Sequence, residues 1–66
     1  MNETLFRQRL LQLRGELTQM QFAEKIGVSR VIIGLWESGN RIPGIKNLIR
    51  IADVFNVSID WLIGRV

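Results

Sequence analysis

The chain has 66 residues, 47% of them hydrophobic and 23% charged, which predicts one packed domain over residues 1–66 rather than a disordered segment. It holds no cysteine and no histidine. A disulfide framework, a thiolate zinc site and the usual general base near neutral pH are thereby excluded, so no metal, no cofactor and no enzymatic activity are expected. No apolar run reaches the roughly 18 residues of a membrane span and the first residues lack a signal-peptide layout, so a cytoplasmic protein without a membrane partner is expected.

The net charge is +3, and its placement is uneven. Between Arg30 and Arg50 lie four bases (Arg30, Arg41, Lys46, Arg50) and one acid (Glu37), whereas the bases and acids of the remainder cancel. The whole excess therefore falls in one third of the chain. A localised positive field of this kind attracts a polyanion; a solvated face that keeps the protein soluble is the other reading of the same charges.

Helical periodicity runs through the whole sequence. Phe6, Leu10, Leu13 and Leu17 recur at four, three and four residues, the stripe of an amphipathic first helix that stops near Arg14 and Gly15. Thr18 with Gln21 has the form of a capping box and starts a second helix, whose inner face is Phe22, Ala23 and Ile26. Gly27 ends it in the left-handed conformation that glycine adopts without penalty. Ser29 is an N-cap for a third helix, with Ile33 and Trp36 facing inward and Gly39 closing it. Pro43 precedes a fourth helix, whose inner face is read as Ile45, Leu48, Ile49, Ala52 and Phe55. Ser58 caps a last short helix through Ile63, with Asp60 favourable to the dipole of its first turn. No stretch alternates with a period of two for long enough to form a strand, so the fold class is all-α, a compact five-helix domain.

The short break between the second and third helices, at Gly27 and Val28, has the spacing of a helix-turn-helix over about 18–38. Ala23 is small where the third helix must cross the second, Gly27 makes the turn, and Val28 suits the apolar plug beneath it. An ordinary helical hairpin has the same spacing. The run Thr18-Gln19, Phe22-Ala23-Glu24-Lys25-Ile26-Gly27-Val28-Ser29-Arg30, Ile33, Trp36-Glu37-Ser38-Gly39, Arg41 and Pro43 resembles the phage Cro and lambda-repressor-like helix-turn-helix family, the regulators of xenobiotic-response-element type. Leu48, Ile51-Ala52, Phe55 and Val57-Ser58-Ile59-Asp60-Trp61-Leu62 continue the resemblance through the fourth and fifth helices, so that it covers about Phe6 to Ile63.

The resemblance implies a double-stranded DNA-binding transcriptional regulator, Cro-like or a prophage repressor, whose recognition helix, about 29–37, lies in the major groove. It implies base reading by Arg30 and phosphate contacts from Gln19, Asn40, Arg41, Lys46 and Asn47; a helical wheel of the third helix adds Val31, Gly34 and Leu35 to the expected base-reading face and Ile32, at its edge, to the expected phosphate contacts. Arg14 and Glu37 resemble a family pair that forms a structural salt bridge between the first and third helices. It further implies a homodimer on a pseudo-palindromic operator, since symmetric dimers bind half-sites about 34 Å apart, in a bacterial or phage-encoded protein of the nucleoid. No small-molecule ligand is expected. Ile59, Leu62, Val66, Leu5 and Leu11 are candidates for the dimer surface or for ordinary core.

One departure from the family stands out. With Ile33 and Trp36 inward, Val31, Gly34 and Leu35 point outward on the third helix and make that face apolar, where many relatives carry serine, threonine, glutamine or arginine. Thymine methyl groups against Val31 and Leu35, with close approach at Gly34, explain it in one way. A protein-interaction surface, as in an antitoxin or antirepressor, explains it in another.

Overall fold

Local capping chemistry divides the chain into five helices: α1 (Glu3–Arg14), α2 (Gln19–Ile26), α3 (Arg30–Ser38), α4 (Ile45–Phe55) and α5 (Ile59–Leu62). The structure, a computed structural model, describes residues 1–66. In the Thr18 capping box, Oγ1 accepts from the Gln21 amide at 3.0 Å while Gln21 Oε1 accepts from the Thr18 amide at 2.9 Å. Ser29 Oγ accepts from the Ile32 amide at 3.2 Å and Ser58 Oγ from the Trp61 amide at 3.0 Å. Each such cap removes an unsatisfied donor and contributes about 1 kcal/mol. The Ala23 carbonyl accepts from both Gly27 and Val28, at 2.8 and 3.0 Å. With Gly27 at φ 86°, that pair of bonds ends α2 and turns the chain toward α3.

All five helices contribute to a single core. Phe6 and Leu10 of α1 meet Phe22, Ala23 and Ile26 of α2, Ile33 and Trp36 of α3, Leu48 and Ile51 of α4, and Leu62 of α5. Phe55 packs against this cluster from the side, its ring centroid 5.2 Å from that of Phe22. Arg9 ties the chain's two ends together. Its guanidinium donates to the Trp61 carbonyl and to the Val66 carbonyl (2.7 Å for the second) and lies 5.0 Å from the centroid of the Trp61 ring.

The structure corrects the sequence reading at several apolar positions. Helix α1 ends at Arg14, so Leu17 belongs to the connection and packs on the core from there. In α4 the inner stripe is Leu48, Ile51, Ala52 and Phe55, whereas Ile45 and Ile49 are 66% and 43% exposed. Apolar residues at 45, 48, 49, 51, 52 and 55 cover a wider arc than one packing partner can bury. Contact with α2 and α5 selects the side that carries Ile51. Among the candidates for a dimer surface, Leu62 is core, while Leu11 and Val66 remain exposed.

Small domains have little stability to lose. Phe22→Ala, at a fully buried ring, is expected to cost about 3–5 kcal/mol. Circular dichroism should therefore find no cooperative melt for this variant above room temperature.

Candidate nucleic-acid interface

Helix α3 has two faces of opposite character. Ile33 and Trp36 are buried. The helical period then sets Val31 opposite them, with Gly34 and Leu35 to either side of it. Val31 is 62% exposed, Gly34 and Leu35 are half-buried, and Arg30 is exposed. Arg30, Arg41 and Lys46 take no part in the two ion pairs of the chain, Arg14–Glu37 and Arg65–Asp60. Three free cations thus lie along the stretch from the start of α3 to the first turn of α4.

Glu37 anchors the other flank of α3. Its Oε2 accepts from Arg14 Nε at 2.6 Å and its Oε1 from Gln19 Nε2 at 2.8 Å. Arg14 also donates to the Leu17 carbonyl at 3.1 Å. The Glu37 side chain is 9% exposed and that of Arg14 25%, so one nearly buried carboxylate has both oxygens satisfied. This joins α1, the first turn of α2 and the last turn of α3. The expected pairing of Arg14 with Glu37 is present; the third member, Gln19, is one of the candidate phosphate ligands. One Gln19 amide hydrogen points to Glu37, which fixes the side chain and leaves the second hydrogen as a donor.

Two arginines that the sequence reading counts only as charges hold the ends of the helix-turn-helix. Arg50 Nη1 donates to the Gly27 carbonyl at 3.4 Å, with its guanidinium 3.6 Å from where a Cβ on Gly27 would sit. Arg7 Nε donates to the Glu37 carbonyl at 3.1 Å, and its guanidinium comes within 3.2 Å of the corresponding point on Gly39. Each guanidinium therefore caps a helix C-terminus, where a cation is favoured, and covers a glycine that is also left-handed, at φ 86° and 81°. These contacts link residues 23 and 30 positions apart, and no local pattern announces them. The basic excess of the 30–50 segment is thereby reduced, since Arg50 is committed to the scaffold.

The remaining candidates fall out as follows. Ile32 packs against the core and its amide bonds Ser29, so it brings no free donor for a phosphate. The Asn40 side chain donates to Ser38 Oγ at 2.9 Å and its backbone amide to the Leu35 carbonyl at 3.0 Å, which folds the loop back onto the end of α3. The Arg41 amide donates to the same carbonyl at 3.2 Å, leaving its side chain exposed. Lys46 is exposed and Asn47 half-buried in the first turn of α4, a helix whose N-cap, Gly44, has no side chain to bond its first amides. The Asn47 amide donates to the Gly44 carbonyl at 3.1 Å, which leaves the amides of Ile45 and Lys46 for an anion.

A helix-turn-helix family profile matches residues 8–62. The chain belongs to the helix-turn-helix family. It is 46% identical over 48 residues to the cryptic phage CTXphi transcriptional repressor RstR of Vibrio cholerae serotype O1, covering 73% of this chain and 43% of that protein. Over 60 residues it is 45% identical to the HTH-type transcriptional activator BcrR of Enterococcus faecalis, covering 88% of this chain and 29% of the relative. The helix-turn-helix chain thus spans less than half the length of either. Its fold matches the solution structure of the SOS-response transcriptional repressor LexA from Eubacterium rectale with a TM-score of 0.83 at 31% identity, over 94% of this chain and 68% of the other. No helix of this helix-turn-helix domain is long and apolar enough to cross a membrane.

Removing one partner of the Glu37 network leaves an unbalanced charge in a nearly water-free site. Arg14→Ala is expected to lower the unfolding free energy by about 2–3 kcal/mol in urea titration. Joint replacement by Arg14→Met and Glu37→Leu should recover much of that loss, because no charge is then left buried.

Proposed function

We propose that the chain is a sequence-specific double-stranded DNA-binding transcriptional regulator, most simply a repressor that occludes promoter DNA, with α3 in the major groove. The observation that carries this is the division of α3 itself. A helix anchored through Ile33, Trp36 and Glu37 presents Arg30 and Val31 outward, beside the unpaired Arg41 and Lys46. Arg30 reads a base, since a guanidinium can bond guanine O6 and N7 in bidentate fashion. Gln19, Asn40, Arg41, Lys46 and Asn47 hold phosphates, which sets the register without reading sequence. Ile32 is not among them, for the reason given above. The named repressor RstR among the relatives supports the repressor form.

The regulator acts as a homodimer on a pseudo-palindromic operator in the bacterial cytoplasm. The domain measures 28 × 24 × 22 Å, so two copies side by side suit successive major-groove turns about 34 Å apart. The exposed Ile42, Ile45 and Ile49, next to the basic loop, offer apolar surface for that pairing.

Binding to duplex DNA should weaken steeply with salt, with a logarithmic slope of roughly −0.9 per phosphate neutralised. Fluorescence anisotropy at several salt concentrations tests this, and a flat response would sink the reading. Arg41→Ala should weaken binding alike on all sequences and make the slope shallower by about one phosphate, whereas Arg30→Ala should also flatten preference among sites. Equal loss of preference from both variants would remove the division between base and phosphate contacts.

A further inference from the structure

Gly34 serves no purpose within the fold. It lies inside α3 with ordinary helical backbone, and a Cβ built on it meets nothing within 4 Å. A glycine at such a place costs a helix about 1 kcal/mol relative to alanine. The other glycines of the helix-turn-helix are explained by positive φ and by the guanidinium groups stacked on them, but this one is not. A helical glycine with open space above it fits a position where a ligand approaches the backbone closely.

Gly34 and Leu35 stand three and four positions after Val31, so they flank it on the helix surface. Val31 therefore stands exposed with the half-buried Leu35 on one side and, on the other, a notch left where Gly34 has no side chain, which Arg30 and Ser38 also border from four positions away. Neither the Val31 nor the Leu35 side chain carries a hydrogen-bonding group, and the backbone polar groups of a helix interior are already bonded to one another. The notch is too small for a protein interface, which takes about 800 Å² from each partner. The unpaired cations Arg30, Arg41 and Lys46 near it favour a polyanion.

We propose that Val31, Gly34 and Leu35 form a notch for the C5 methyl group of a pyrimidine in the major groove, accepting thymine and 5-methylcytosine alike. This rests on the DNA-binding reading above. The thymine methyl is the apolar feature that base edges present in that groove, and methylation of cytosine at C5 puts the same group at the same place. Cytosine methylation then creates a contact instead of removing one, which makes operator occupancy responsive to the modification state of the DNA.

The test starts from duplexes that the full chain selects out of a random pool. Each thymine of the best site is replaced in turn by uracil, which deletes only the methyl group. Binding should fall about four-fold at one or two positions, the value of one buried methyl, and Val31→Ala should abolish the uracil effect there. Cytosine at the same position should bind more weakly than 5-methylcytosine by a similar factor. Gly34→Ala should melt several degrees higher than the parent yet bind the selected site at least ten-fold more weakly.

A selected site at which every uracil is neutral would overturn the notch and leave the DNA-binding reading intact. Failure to select any site, with no salt-sensitive binding to duplex, would remove both. Unchanged duplex affinity in Val31→Asp would mean that this face serves a protein partner, and the notch would again be wrong. Gly34→Ala that binds as tightly as the parent would overturn the close approach.

Discussion

A nine-residue helix is not stable by itself in water, because nucleation is costly and too few hydrogen bonds follow it. Helix α3 spans Arg30–Ser38, so its existence and its direction are set by what holds it from outside. Three supports converge on it. Ile33 and Trp36 enter the core, Glu37 is bonded by Arg14 and Gln19, and the two ends are closed by Ser29 and by Arg7 over Gly39. The outward face is relieved of any structural duty as a result. That freedom lets it carry Arg30, an exposed valine and a glycine that the helix by itself disfavours.

Two sets of basic residues differ in what they meet. Arg7, Arg9, Arg14 and Arg50 are spent on carbonyls and a carboxylate of the same chain. Arg30, Arg41 and Lys46 remain unpaired. Net charge therefore describes the binding face poorly. The field felt by a polyanion comes from the free cations, because a bonded guanidinium is held in place and partly neutralised by its acceptor. The Glu37 network has a related double use. Gln19 braces α3 through one amide hydrogen and leaves the other free, the one that the proposed DNA complex gives to a phosphate.

Loss of a Glu37 partner and loss of an outward residue should accordingly behave differently. The first acts through stability and helix orientation together, whereas the second, at Arg30 or Val31, acts on binding with little change in stability. A wheel drawn from the sequence cannot separate these two classes at Gln19, since the bond to Glu37 crosses eighteen positions.

Helix number, caps and the turn at Gly27 were legible in the sequence by itself, because each depends on residues three or four apart. Thr18 with Gln21, Ser29 with the Ile32 amide, and glycine in the left-handed region are local chemistry, and they appear where the pattern put them. The resemblance to known regulators added the pairing of Arg14 with Glu37, which spacing did not supply. Tertiary structure alone decided which side of α4 is buried. An arc containing both Ile49 and Ile51 is ambiguous until α2 and α5 occupy one flank of it. It alone also brought Arg7 to the Glu37 carbonyl beside Gly39 and Arg50 to the Gly27 carbonyl. Those outcomes depend on which distant segments come within hydrogen-bonding reach, and that distance is not encoded in any local spacing.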